Sequence, residues 1–279
     1  MTVNTAETAS GKGASDENFP VGSFLLPKRL RPHVAIFYAY ARAIDDVADN
    51  PDLAPEEKVR RLEGFDAALL GQNEHPDFIK AHQVRDSLAE VNVPVQHCRD
   101  LISAFKQDAT KLRYRDWDDL IDYCNRSAAP VGRYLLDLHG ESRDGYPAND
   151  ALCNALQVIN HLQDCQDDYH ELDRVYLPQD WMSEAGATVD DLDARAASSG
   201  LRLVLDRCLD GTEVLKDQAR TLPGRLKSRH LAMESAAIVR IADLLVKHLR
   251  NRDPIATRVE LTKPEFAWCF IRGATRHLF

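Results

Sequence analysis

A chain of 279 residues, 44% of them hydrophobic, can bury one large core, and no shift of composition inside it marks a second domain. Its net charge of −9 and isoelectric point near 5.6 exclude the basic footprint that nucleic-acid binding requires. Six cysteines (Cys98, Cys124, Cys153, Cys165, Cys208 and Cys269) stand far apart with no C-x-x-C pair, as in a reduced cytosolic protein, and no run reaches the roughly eighteen apolar residues of a membrane span.

Residues 1–16 are polar and small, without the basic start and apolar middle of a secretion signal, and read as a disordered tail before a domain over 17–279. After Pro27 apolar residues recur at spacings of three and four, with no competing alternation rich in β-branched residues, so the fold class is all-α, a single helical bundle. Helices are predicted over 31–50, 55–70, 76–91, 94–113, 117–139, 147–171, 195–222, 226–251 and 264–276. Pro55, Pro76, Pro94, Pro147, Pro223 and Pro264 stand near helix starts, and Gly140, Gly145 and the segment 173–193 supply the longer connections. Pro130, inside the 117–139 pattern, predicts either a kink or a helix boundary.

The first helix ends in Arg42-Ala-Ile-Asp45-Asp46-Val-Ala-Asp49. At about 3.6 residues per turn, Tyr38, Arg42, Asp45 or Asp46, and Asp49 share one face. Carboxylates so spaced repel one another, and at a C-terminal end the helix dipole disfavours them too, so a cation should offset them. An ion pair inside the helix accounts for Arg42 as well as a ligand does, and the two roles can coexist. The 147–171 helix repeats the pattern: Gln157, Asn160, Asp164 and Asp168 form a stripe with Asp167 one position off it, again where a helix gains nothing from acids. Oxygen-only clusters of this kind suit Mg²⁺, which takes one or two carboxylates plus substrate phosphate oxygens. A solvated acidic face is the competing reading of either cluster alone. Asp118-Asp119-Leu-Ile-Asp122 has the same spacing, but it opens a helix that Asp116 can cap, and is structural.

At these residues the chain resembles the squalene/phytoene synthase family. The likeness runs from about Asn18 to the C-terminus and rests on landmarks in family order: Leu25-Leu26-Pro27, Tyr38 to Asp49, Tyr123-Cys-Asn-Arg-Ser-Ala-Ala-Pro-Val-Gly132, Gln157 to Asp168 with Arg174-Val-Tyr176-Leu-Pro178, and Arg258 to Pro264. The resemblance implies an isoprenoid-synthase bundle around a central apolar cavity, Mg²⁺, and prenyl diphosphate substrates. It implies metal binding by Asp45, Asp49, Asp164 and Asp168, with Asp46 and Asp167 behind them. It also implies diphosphate binding by Arg42, Gln157, Asn160, Arg174 and Lys263, and reacting-centre positions for Tyr123, Tyr38, Arg42 and Gln163. For Tyr38 and Tyr123 a packed core ring fits the spacing equally well. Arg258 and Lys263 are expected to close over the diphosphate or to remain solvated, and His161 to pack.

Departures from the family pattern are specific. Gln163 stands where many members carry Arg, Ser127-Ala-Ala-Pro130-Val-Gly132 replaces V-A-G-x-V-G, and Glu17-Asn-Phe-Pro-Val-Gly-Ser23 precedes them. These resemble the hydroxysqualene-forming branch of bacterial hopanoid biosynthesis, which takes presqualene diphosphate and needs no NADPH. The alternatives are condensation of two farnesyl or geranylgeranyl diphosphates, to presqualene diphosphate, dehydrosqualene or phytoene, and a non-catalytic assembly role on the same fold. The expected location is the cytoplasm, with peripheral contact to the inner face of the membrane through 181–192 or through neighbouring enzymes of the pathway.

Overall fold

Pro32, whose fixed φ suits a first helical turn, opens α1 (Arg31–Asp49), and Val34, Phe37, Tyr40, Ile44 and Val47 bury one stripe of it. The computed structural model describes residues 26–275, so the predicted tail over 1–16 lies outside the described residues. After α1 come α2 (Pro55–Leu69), α3 (Ile79–Val91) and α4 (Gln96–Asp108). Then follow α5 (Trp117–Ser127), α6 (Ala129–Leu138), α7 (Tyr146–Gln163), α8 (Cys165–Leu172) and the short α9 (Gln179–Ala185). The chain closes with α10 (Ser199–Ala219), α11 (Arg229–Asn251) and α12 (Lys263–Thr275). Buried residues surround α7, which packs against α5, α6, α10 and α11 and so forms the axis of an all-α bundle. All six cysteines are unpaired.

The elements depart from prediction where local chemistry overrides period. The pattern over 117–139 breaks at Ala128 (φ −115°, ψ −48°), and Pro130 falls in the first turn of α6, where its missing N–H is tolerated. Gly132 lets α6 press on α7: a Cβ there would collide with Asn149 and Cys153. The pattern over 147–171 breaks at Asp164 (φ −107°, ψ 10°), separating α7 from α8. The predicted helix over 94–113 ends at Asp108, and Gln107 closes it by accepting from the amides of Thr110 and Lys111.

Beyond it β1 (Arg113–Tyr114) pairs in parallel with β2 (Val175–Pro178), strands too short to show any alternation. Asp173, at φ 51°, turns the chain out of α8 in the left-handed region and delivers Arg174 to β2. Within the expected connection 173–193, α9 and a 3₁₀ turn over Val189–Asp193 form. The Thr188/Asp191 capping box secures that turn.

The segment expected to meet lipid turns its apolar side chains inward: Trp181 stacks on Trp117, and Met182 and Leu192 are buried. Trp268 and Ile271 on α12, each 57% exposed, are the large apolar residues that face outward near the C-terminus. Among the described residues no helix is long and apolar enough to cross a membrane.

Candidate active site

Inside the bundle lies a cavity of about 370 Å³ walled by α1, α4, α5, α6, α7, α8, α11 and β2. Phe37, Leu101, Leu152, Leu156, Leu222 and Ile238 give it an apolar lining. Asp45 and Asp49 from α1, and Asn160, Asp164 and Asp168 from the α7–α8 junction, line the same cavity. Tyr38, Arg42, Tyr123, Gln157, His161 and Arg174 share that wall. A mostly apolar pocket with converging polar groups has the form of a ligand site.

No basic residue lies in the last turn of α1, so the acids that end it meet cations from the preceding turn and from other elements. Arg42 spans Asp45 at 2.9 Å and Asp46 at 3.1 Å, so the ion pair inside the helix and the place on the cavity wall coexist. Arg174 reaches across to Asp49 at 2.7 Å and donates to the Ala48 carbonyl, to which Lys58 of α2 also donates at 2.8 Å. Burial, followed by the neighbouring Asp49 carboxylate, lifts the Asp45 carboxyl well above its ordinary range. Burial opposes the charge on Arg174, 4% exposed, but Tyr176, Asp108 and Asp49 outweigh it and raise its pKa above the ordinary guanidinium range. Its buried Nε has no hydrogen-bond partner.

The second cluster is built differently. Gln157, Asn160, Asp164 and Asp168 do share the cavity wall, as their spacing predicts. The break at Asp164, however, makes Asp167 and Asp168 first-turn residues of α8, where the dipole favours them. That corrects the expectation that both clusters sit where a helix gains nothing from acids. Arg258, in the segment before α12, pairs with Asp164 at 3.1 Å.

Among the described residues Gln163, Lys263, Asp46 and Asp167 do not reach the cavity wall. Gln163, expected at the reacting centre, is buried, and its side-chain amide donates to the Val259 carbonyl, fastening the segment that carries Arg258. Lys263 opens α12 exposed to solvent. The third acidic cluster is structural: Asp116 caps α5 by accepting from the Asp119 amide, Asp119 takes Lys111, and Asp122 takes Arg126.

Tyr123, 2% exposed, donates its hydroxyl to Asp108 at 2.7 Å. Sequence reasoning missed Asp108, which closes α4 outside every motif. Burial, then Asp49, raises its carboxyl to about 7 against the pull of Arg174 and the Tyr123 hydrogen bond. Tyr176 was missed as well; it stacks on His161 at 3.5 Å between ring centroids and is held in place by the β1–β2 pair. Burial and the nearby Arg174 lower the pKa of His161 to about 3, so the ring is a neutral part of the wall.

The donor set suits a hard cation: the facing carboxylates and Asn160 offer oxygen alone. Among the described residues no three His, Cys, Asp or Glu side chains form a cage for an ion. Carboxylates so placed could hold a divalent cation that takes further oxygens from a bound ligand.

Residues 13–265 match the Squalene/phytoene synthase family model. The chain is 43% identical to the hydroxysqualene synthase of Rhodopseudomonas palustris, over 95% of this chain and 90% of that protein. It is 40% identical to the hydroxysqualene synthase of Zymomonas mobilis, over 98% and 93% respectively. The crystal structure of squalene synthase HpnC from Alicyclobacillus acidocaldarius superposes with a TM-score of 0.72 at 32% identity, covering 83% of this chain and 87% of that one.

Proposed function

Because the chain belongs to the squalene/phytoene synthase family, we infer that it ionises presqualene diphosphate and captures water, releasing hydroxysqualene and diphosphate. The observation that carries this reading is the near full-length likeness to hydroxysqualene synthases in a chain that keeps both aspartate pairs on one apolar cavity.

In this proposal Asp45, Asp49, Asp164 and Asp168 are the residues that would hold Mg²⁺ at the diphosphate end of the cavity. Bound there, Mg²⁺ supplies Lewis-acid charge that makes diphosphate a better leaving group. Arg42 and Arg174 offer guanidinium donors to the same group, and Asn160 and Gln157 orient it from α7. Leu101, Leu152, Leu156 and their neighbours take the hydrocarbon arms and keep bulk water from the cation. Tyr38 offers an electron-rich ring to it, and Tyr123 stands on the same wall. As written, the reaction takes no hydride.

The product belongs in lipid, so the proposal extends to peripheral contact with a membrane surface. The face that suits it is α12, whose Trp268 and Ile271 are exposed and whose Trp268 lines a surface groove with Arg240, Lys247 and Arg272 and with Asp243. Co-sedimentation with anionic vesicles, weakened by Trp268→Ala with Ile271→Ala, is the expected result; recovery entirely in the supernatant contradicts that extension.

The reaction itself is tested by incubating purified protein and Mg²⁺ with presqualene diphosphate or farnesyl diphosphate, without NADPH. Hydroxysqualene from the first substrate alone is expected. A C30 product from farnesyl diphosphate alone overturns the assignment in favour of condensation, and turnover of neither favours an assembly role.

A further inference from the structure

Asp108 belongs to neither aspartate pair, yet it is 3% exposed and stands on the cavity wall. Its Oδ2 accepts the Tyr123 hydroxyl at 2.7 Å, while Oδ1 is buried with no hydrogen-bond partner among the described residues. A half-satisfied buried carboxyl is costly, so its presence calls for a reason beyond packing.

The aromatic surroundings narrow that reason. The ring of Tyr123 is flanked by Tyr114 at 5.4 Å, Tyr176 at 5.7 Å and His161 at 6.1 Å between centroids. With the ring so enclosed, the freedom that remains is rotation of the hydroxyl about its C–O bond. Asp108 decides that rotation. A phenol oxygen has one proton to donate and lone pairs to accept with. Once the proton is committed to Asp108, the lone pairs are what Tyr123 can offer to a cavity ligand. An O–H directed at a carbocation would meet it with the positive end of its dipole; lone pairs meet it with the negative end. The same lone pairs can accept from a water molecule, leaving that water's own oxygen free to face the cation.

We infer that Asp108 is a positioning residue, which draws the Tyr123 hydroxyl proton away from the cavity so that an electron-rich oxygen steadies the cation and seats the quenching water. This rests on the reaction proposed above. Asp108 touches neither substrate nor metal in this role and acts wholly through Tyr123.

A double-mutant cycle separates this role from a merely structural one. Asp108→Leu, Tyr123→Phe and the double variant are assayed for diphosphate release from presqualene diphosphate and for the share of alcohol among the products, with helical circular dichroism and melting recorded for each. Asp108→Leu and Tyr123→Phe should each lower kcat by about 10²-fold and the alcohol share with it, as expected for a misplaced reacting-centre group. KM should stay within about twofold, the sign of an interaction made in the transition state.

The double variant should be no slower than Tyr123→Phe. Asp108→Asn, whose amide oxygen still accepts, should recover most of the rate. Losses that multiply in the double variant, an Asp108→Leu protein that matches the unmodified one, or an Asn variant as slow as the Leu variant would each overturn the inference. Should Asp108→Leu fail to fold, Asp108→Ala takes its place. If the unmodified protein leaves presqualene diphosphate untouched, the proposed reaction fails separately and the cycle is read on farnesyl diphosphate; consumption of neither contradicts both.

Discussion

The two acidic ends of the cavity look alike in sequence and are stabilised by different physics. At the end of α1 the carboxylates oppose the helix dipole and are offset by Arg42 and by Arg174, just before β2, while Lys58 donates to the Ala48 carbonyl. At the start of α8 the break at Asp164 reverses the dipole argument, and Asp167 and Asp168 lie at a favourable helix N-terminus. The first end thus depends on side-chain cations from α1 itself and from elements far apart in the chain, whereas at the second Asp167 and Asp168 draw on the backbone of α8 and Asp164 on Arg258. Two acidic clusters on one cavity need not relieve their repulsion the same way twice.

If both ends serve the reaction equally despite that difference, Asp45→Asn and Asp164→Asn should each lower turnover by about 10²-fold or more while helical circular dichroism is retained. A full rate in either variant breaks the symmetry of function.

Stability should divide the two ends where activity does not. Arg174→Met removes the buried cation shared by Asp49 and the Ala48 carbonyl and should cost about 3 kcal/mol in urea unfolding. Asp168→Asn, which weakens a dipole interaction, should cost about 0.5 kcal/mol. Equal losses would show that Asp168 depends on more than the dipole of α8.

A smaller effect is read with pH. Asp108, facing Arg174, Tyr123, Asp49 and Arg126, titrates at about 7 when folded, above its unfolded value. The folded state therefore holds the extra proton between the two pKa values, and this contribution to stability is lost as pH rises through about 7. His161 has the opposite sign: its folded pKa of about 3 is depressed, so its contribution is lost as pH falls below the ordinary imidazole range. Asp108→Asn should flatten the fall in melting temperature as pH rises from about 4 to about 7, and His161→Phe the fall as pH drops from about 6.5 to about 3. The reverse assignment would contradict the burial argument for both.

The helices were readable because each buries a stripe long enough to show its period, as Val34, Phe37, Ile44 and Val47 do in α1. Arg42, Asp45 and Asp49 were readable for the same reason, being neighbours on one helix. What escaped prediction is short or non-local. Two paired residues in β1 carry no alternation, and the break at Asp164 has neither Gly nor Pro to announce it, whereas Pro130 does mark the start of α6. Asp108 and Tyr123 meet only because α4 and α5 pack, a contact that spacing along either helix cannot report. Gln163 was noticed as a departure, but its partner Val259 lies 96 residues away, so its role as a tether was invisible.

The central claim is that this cavity ionises a prenyl diphosphate and closes the reaction with water. It is tested most directly by turnover of presqualene diphosphate in ¹⁸O-labelled water with Mg²⁺, followed by mass spectrometry of the C30 product. Hydroxysqualene carrying one ¹⁸O for each diphosphate released is the expected result. An oxygen-free C30 hydrocarbon, or an alcohol without the label, would contradict it.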